Sequence, residues 1–265
     1  MNVKSLKKLL SVFVRNEIDK CALLIWGATG AGKTSICRQI AAANGMNFMA
    51  FSCETLTDPA DLRGGIVNVA DENGYVMQYS VPELIKKLEK NRTLMLFDEL
   101  VRTPPQSQAA LMSVFTDERR LGLHQLPPGT VIVAAANPVG DDYFGNELDM
   151  AQVERFLHVN YAPDRSEVPD YLDSKGTHPG IISFFAQVAD AMYCPLLQMP
   201  YKPKAVPRAI EAFSQIQAAM SEEEFDDLGH EIAEGLVGEH ASGLVQAIRN
   251  ALEIPLTLQD FLTGT

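Results

Sequence analysis

No apolar run in this 265-residue chain approaches the roughly 18–20 residues that a membrane-spanning helix requires. The N-terminus, MNVKSLKKLLSVFVRNEIDK, has lysines and a short apolar stretch but no small-residue cleavage site, and its polar residues fall at helical spacing. It predicts an amphipathic helix of the folded domain rather than a signal peptide. Cysteine is scarce. Cys21, Cys37, Cys53 and Cys194 form no CxxC pair, which argues against a metal site and for free, partly buried thiols in a reducing cytoplasm. Basic residues are outnumbered, 22 Lys and Arg against 34 Asp and Glu, giving a net charge of −12. Nucleic-acid binding relies on clustered Lys and Arg facing phosphates, so this balance disfavours a large nucleic-acid footprint and leaves room only for local basic patches. Metal-ligand spacing is missing among His124, His158, His178, His230 and His240, which read as ordinary residues. Internal repeats and low-complexity tracts are absent as well.

Apolar material is plentiful. Hydrophobic residues make up 46% of the chain, enough to bury a sizeable core in a soluble, globular protein. The length allows one large α/β domain, alone or with a small appended one. A helix is expected over Ser5 to Glu17, a buried strand over Ala22 to Trp26, a helix over Thr34 to Ala43 ended by Asn44–Gly45, and a strand over Met46 to Cys53. TDPADLRGG has loop chemistry. IVNVADENGYVMQYS holds two alternating runs around DENG, a hairpin signal. VPELIKKLEKN reads as a helix with Pro82 near its first turn, RTLMLFDEL as a buried strand ending in acids, and PPQSQAALMSVFTDER as a helix opened by proline. Thr130 to Ala136 and a short segment around Phe156 to Val159 read as further strands. Strands alternate with helices through residue 161, which predicts a parallel sheet with helices on both faces. After Pro163 the strand signals stop. HPGIISFFAQVADAMY, VPRAIEAFSQIQAAM and GLVGEHASGLVQAIRNAL are all helical in period. SEEEFDD reads as a solvated first turn suited to a helix dipole, and SFF at Ser183 to Phe185 as helical core. The expected organisation is an α/β nucleotide-binding domain over 1–162, with a β-hairpin near 66–79, and a small all-α lid over 163–265.

The stretch GATGAGKT matches G-x-x-x-x-G-K-[ST] between an apolar strand and a helix, the context in which this pattern cradles phosphates. Gly27, Ala28, Thr29, Gly30, Ala31 and Gly32 would wrap backbone N–H groups around phosphate oxygens. The helix N-terminus, with Ser35 in its first turn, adds free N–H groups and a favourable dipole. Lys33 would reach the β- and γ-phosphates, and the Thr34 hydroxyl would help hold Mg²⁺. TLMLFDEL puts Asp98 and Glu99 at a strand end. Asp98 can complete the Mg²⁺ shell, and Glu99 suits a general base that polarises an attacking water. A small-molecule kinase has no use for such a base, whereas a hydrolase does. Asn137, at the end of VIVAAANP, can bond that water or the γ-phosphate. ATP and Mg²⁺ are the expected cofactors.

In order, GATGAGKT, LMLFDEL, VAAANP, ERF and PRA resemble a P-loop AAA+ ATPase of the MoxR type, in the helix-2-insert branch, over nearly the whole chain. The segment DLRGGIVNVADENGYVMQYSVPEL is similar to that family's hairpin insert, with VPEL from Val81 to Leu84 where GPL is usual. The resemblance implies that the hairpin faces a central pore. It implies that Arg155, in AQVERFLHV, acts on a neighbouring subunit's nucleotide, and that Arg208, in PRAIEAF, is the lid arginine that senses it. The family more often has DRF where this chain has Glu154 before Arg155. Arg119 and Arg120, in TDERRLGL, are competing candidates for the trans-acting role, and pairing with Glu118 would make them ordinary surface residues. The resemblance further implies a homo-hexamer and a protein partner carrying a von Willebrand factor A domain, which this sequence does not itself contain.

The expectation is therefore an ATP-hydrolysing ring that remodels or activates a protein. A nucleic-acid-directed ATPase, of helicase or loader type, is the alternative, and the acidic balance counts against it. A phosphotransferase acting on a small molecule is opposed by Glu99 and Asn137. A scaffold that uses nucleotide only as a prop is opposed by the full set of hydrolysis residues.

Overall fold

Three apolar segments far apart in sequence form the centre of the fold. ALLIW, TLMLFD and TVIVAAA become adjacent parallel strands. The computed structural model describes residues 1–18, 22–62, 64–72, 74–138, 145–164, 166–187 and 207–253. The chain divides into two units, Met1–Thr29 with Lys33–Ala162, and Gly30–Gly32 with Pro163–Thr265.

In chain order the first 162 residues run α1 (Val3–Arg15), β1 (Ala22–Trp26), α2 (Lys33–Ala43), β2 (Asn47–Ser52), β3 (Ile66–Asp71), β4 (Gly74–Tyr79) and α3 (Glu83–Leu88). They continue with β5 (Thr93–Asp98), α4 (Pro105–Leu111), β6 (Arg120–Leu121), β7 (His124–Gln125), β8 (Thr130–Ala136), α5 (Met150–Val153) and β9 (Phe156–Asn160). The principal sheet has five strands in the order β2-β5-β8-β1-β9, and every pairing is parallel. Both alternating sets of side chains in its central strands are buried: Leu24, Met95, Phe97 and Ala134 on one face, Leu23, Ile25, Leu94 and Val133 on the other. A sheet covered on both faces needs apolar residues at every position, which is why these strands read as unbroken apolar runs. Phe51, Phe97, Phe115 and Phe156 carry the core across one face, with successive ring centroids 5.6, 5.2 and 4.7 Å apart in tilted or edge-on geometry.

Local chemistry sets the element ends. Asn2 caps α1, its Oδ1 accepting from the Ser5 N–H at 2.9 Å, so the helix starts two residues before the expected Ser5. It ends at Arg15 rather than Glu17, which has left-handed backbone at φ 48°. Its buried residues, Leu6, Leu10, Phe13 and Val14, form one stripe. The helix expected over PPQSQAALMSVFTDER is shorter, with α4 tightening into a 3-10 turn at Met112–Phe115. The two-residue strands β6 and β7, paired antiparallel around Gly122, have no counterpart in the sequence reading. They are too short for a period-2 pattern to register. The hairpin β3–β4 pairs Ile66 with Tyr79 and Val69 with Val76, as its alternation and DENG predict.

The second unit is helical among its described residues: α6 (Glu167–Asp173), α7 (Pro179–Gln187), α8 (Pro207–Ala219), α9 (Glu222–Val237) and α10 (Ala241–Glu253). Phe184, Phe185, Phe213, Phe225, Leu244 and Ile248 pack as its core. Ser221 and Glu224 form a capping box that opens α9, with Glu222, Glu223 and Glu224 in the first turn. GLVGEHASGLVQAIRNAL, helical in period, is divided between two helices. Gly238, at φ 61° and ψ −130°, ends α9, and a 3-10 turn at Gly238–His240 precedes α10. The last six residues of HPGIISFFAQVADAMY, together with Cys21 and Cys194, lie outside the described residues. No helix among the described residues is long and apolar enough to cross a membrane.

Candidate functional site

Parallel register brings the C-terminal ends of β1, β5 and β8 side by side, with Trp26 opposite Ala136 and Phe97 opposite Ala134. Open parallel sheets bind ligands at this edge. The loop after β1 begins at Gly27, whose N–H donates to the Ala136 carbonyl at 3.2 Å. Gly30 and Gly32 take φ of 73° and 92°, backbone that a side chain disfavours. Lys33 opens α2 and is 7% exposed. Its ammonium donates to the Gly27 carbonyl at 2.6 Å, the Ala28 carbonyl at 3.1 Å and Asn137 Oδ1 at 2.7 Å. Those acceptors use all three donors of a buried charge. Ser35 lies in the first turn of α2, where Gln39 Nε2 donates to its hydroxyl at 3.4 Å.

Close packing constrains the first glycine. A Cβ on Gly27 would lie 2.7 Å from the Tyr161 carbonyl oxygen and 3.3 Å from the Tyr161 ring. Backbone cannot swing aside as a flexible side chain can. Gly27→Ala is therefore expected to push the loop off the β9 end at about 1–3 kcal/mol and to weaken nucleotide affinity roughly tenfold. Equilibrium binding of a fluorescent ATP analogue checks this, and wild-type affinity would refute it.

The acids sit across from the loop. Thr34 Oγ1 donates to Asp98 Oδ2 at 2.7 Å, and the Glu99 N–H donates to Asp98 Oδ1 at 3.1 Å. Glu99 has left-handed backbone, φ 56° and ψ 41°, uncommon for a residue with a side chain and found most often at functional sites. Its two carboxylate oxygens each accept from Asn137 Nδ2, both at 3.1 Å. Asn137 is 2% exposed and bridges the two charges, its oxygen on the Lys33 ammonium and its nitrogen on the Glu99 carboxylate. Beyond Glu99 the network reaches residues that the sequence reading passed over. Arg102 Nε lies 3.4 Å from Glu99 Oε2, and Arg102 Nη1 lies 3.4 Å from Glu54 Oε2. Only the three-residue spacing from Glu99 to Arg102 hinted at this contact, and nothing local pointed to Glu54.

Burial, reinforced by the Asp98 carboxylate, pushes the Cys37 thiol up to about 12, and the same causes move Cys53 upward. Both stay neutral and so lack the thiolate that nucleophilic chemistry needs. Three of the histidines bond within the fold. His158 accepts from Trp26 Nε1 at 2.9 Å, and His230 bonds the Ser242 hydroxyl at 2.9 Å. His178 accepts from the Gly180 N–H at 3.1 Å, and its burial holds its pKa below the usual histidine value.

The structure thus joins Lys33, Thr34, Asp98, Glu99 and Asn137 at one edge. Arg155 lies in the turn between α5 and β9, half-buried, its N–H donating to Gln152 and its carbonyl accepting from Ala22. Arg119 donates from its guanidinium to the Thr130 carbonyl at the start of β8, and Arg120 reaches the Leu123 carbonyl at 3.4 Å. Arg208 is the second residue of α8, and its side chain lies outside the described residues.

Comparison with known proteins is consistent with this geometry. The Thermotoga maritima RuvB Holliday junction branch migration motor and a point variant of it each superpose with a TM-score of 0.52 at 13% identity, covering 99% of this chain and 80% of theirs. That likeness speaks to the fold alone, a P-loop NTPase sheet with a helical C-terminal part. The chaperone-named protein BssE of Thauera aromatica is 29% identical over 165 residues, 59% of this chain. The chain spans 55% of the length of that relative. A family model described as an AAA domain of the dynein-related subfamily matches residues 22–156. The chain therefore belongs to the AAA domain family, in its dynein-related subfamily.

Proposed function

We propose that this chain is an ATP-hydrolysing AAA+ ring protein of the MoxR type that remodels or activates a partner protein. The observation that carries the reading is the connected network in which Asn137 joins Lys33 to Glu99 beside Asp98 and Thr34. Residues 1–162 act as the nucleotide-binding domain and 163–265 as the lid. Gly27, Ala28, Thr29, Gly30, Ala31, Gly32, Lys33, Thr34 and Ser35 hold the triphosphate. Thr34 Oγ1 and Asp98 Oδ2, 2.7 Å apart, are paired hard oxygens of the kind Mg²⁺ accepts alongside phosphates and water. Bound there, Mg²⁺ would neutralise charge on the phosphate oxygens. Glu99 takes a proton from water as the water oxygen attacks the γ-phosphorus. The bond to the β,γ-bridging oxygen breaks, and ADP and phosphate leave. Asn137 orients that water, Arg155 acts across a subunit interface of a homo-hexamer, and Arg208 reports nucleotide state to the lid.

Exposed Ile66, Tyr75 and Met77 on the β3–β4 hairpin, at 62%, 81% and 73%, give the chain an apolar surface for protein contact. The chaperone name of BssE agrees with a protein target, and a partner with a von Willebrand factor A domain fits the same reading. The net charge of −12 disfavours the nucleic-acid-directed alternative. A pull-down from the native cell extract, using Glu99→Gln protein with ATP and with ADP, tests the proposal. ATP-dependent recovery of a protein is expected. Recovery of nucleic acid alone would move the assignment to the loader class.

A further inference from the structure

We propose that Arg102 is a positioning residue for Glu99 and that Glu54 holds Arg102 in place for that task. The inference rests on the reading of Glu99 as the base. A glutamate side chain has several rotatable bonds and loses substantial freedom when fixed. Here it is fixed from two sides. Asn137 Nδ2 spans both carboxylate oxygens at 3.1 Å, and Arg102 Nε stands 3.4 Å from one of them. The guanidinium is planar, so its Nε and Nη1 edges reach two different carboxylates in one geometry. The second carboxylate is Glu54, which also accepts from the Ser52 hydroxyl at 3.4 Å.

Rigid turns support both ends. Arg102 closes the 3-10 turn Leu100–Arg102, its N–H donating to the Glu99 carbonyl at 2.9 Å. The next residue, Thr103, is fully buried and donates from its hydroxyl to the Cys53 carbonyl at 3.1 Å. Glu54 sits in the turn Cys53–Thr55, which follows β2, while Glu99 follows β5, the strand paired with β2. Arg102 therefore clamps the base to the neighbouring strand end. Fold stability is a poor explanation for the arrangement. The side chains of Arg102 and Glu54 are 43% and 48% exposed, and pairs so exposed contribute little to stability. Orientation of the 23%-exposed Glu99 carboxylate is what such a clamp can supply.

The test measures kcat, ATP affinity, melting temperature and ring size for Arg102→Ala, Arg102→Lys, Glu54→Gln and the double variant Arg102→Ala/Glu54→Gln. Arg102→Ala is expected to lower kcat about tenfold, because small misplacements of a catalytic group cost roughly one to two orders of magnitude. Affinity should stay within about twofold and melting unchanged, since among the described residues the Arg102 side chain bonds the exposed Glu54 carboxylate and Glu99. Arg102→Lys keeps the charge without the fork and should recover part of the loss. Glu54→Gln should lower kcat about threefold alone and not at all in the Arg102→Ala background, because Glu54 acts only through Arg102. Wild-type or raised kcat in Arg102→Ala, with Glu99→Gln inactive, would overturn the inference and leave the base assignment standing. Parallel loss of kcat, affinity and melting temperature would make Arg102 structural. Turnover by Glu99→Gln would remove the base itself. If Arg102→Ala fails to fold, Arg102→Lys and Glu54→Gln carry the same comparison.

Discussion

Glu99→Gln is expected to bind ATP within about threefold of wild type while turnover falls by roughly 10²–10⁴, the contribution of a positioned general base. Glutamine keeps the size of the side chain and can still accept a bond from Asn137 Nδ2, so the Lys33–Asn137 contact at 2.7 Å should survive. Lys33 keeps its bonds to the Gly27 and Ala28 carbonyls and to Asn137 Oδ1 in this variant, so the phosphate loop retains those partners. What disappears is the basic oxygen that, in the proposed mechanism, takes a proton from water. Glutamine also removes a charge from a residue whose neighbours include Arg102, which stays partly solvated and tolerates the loss. Phosphate release in single-turnover measurements, alongside equilibrium ATP binding, checks both halves. Turnover near the wild-type rate would remove Glu99 from the role of base, and loss of binding would mean that the carboxylate holds the loop together.

Arg155→Ala should lower turnover by about 10³ in assembled protein, the scale at which an arginine supplied across an interface acts on a transferring phosphoryl group. Arg155 lies in the turn between α5 and β9, and its backbone bonds to Gln152 and Ala22 hold that turn whatever side chain stands there. Truncation should therefore leave the fold intact. Arg119, the rival, carries a different duty, since its guanidinium bonds the Thr130 carbonyl at the head of a buried strand. Arg119→Ala would combine lost activity with lost stability, and that separates the two. The decisive measurement mixes Arg155→Ala subunits with Lys33→Ala subunits. If Arg155 acts in trans, each lacks one half of a composite site, and mixed interfaces would restore a complete one. Recovered activity supports action in trans. No recovery in verified mixed rings counts against it.

The expectations that held share a physical cause. ALLIW and TVIVAAA form strands over the residues expected, and TLMLFD does so within RTLMLFDEL, because a strand buried on both faces must be apolar throughout. The β3–β4 hairpin was legible for a similar reason, since alternation around DENG is a local signal. Failures cluster where the deciding term was elsewhere. Helical period alone gave no stop inside GLVGEHASGLVQAIRNAL, yet Gly238 adopts positive-φ backbone that ends α9. Two-residue strands leave no pattern, so β6 and β7 went unread.

The candidate site divides in the same way. Sequence alone determined the phosphate loop, because its glycines, Lys33 and Thr34 are contiguous and their backbone demands are local. It also marked Asp98, Glu99 and Asn137, since acids or amides closing an apolar strand stand out against it. Only the tertiary structure decided that Asn137 bridges Lys33 and Glu99, that Glu99 is left-handed, and that Arg102 and Glu54 extend the network. The reason is sheet order. Placing β5, β8 and β1 side by side brings residues 33 and 137 into contact, and a pairing between strands so distant in the chain follows from the packing of the whole sheet rather than from any local run of residues.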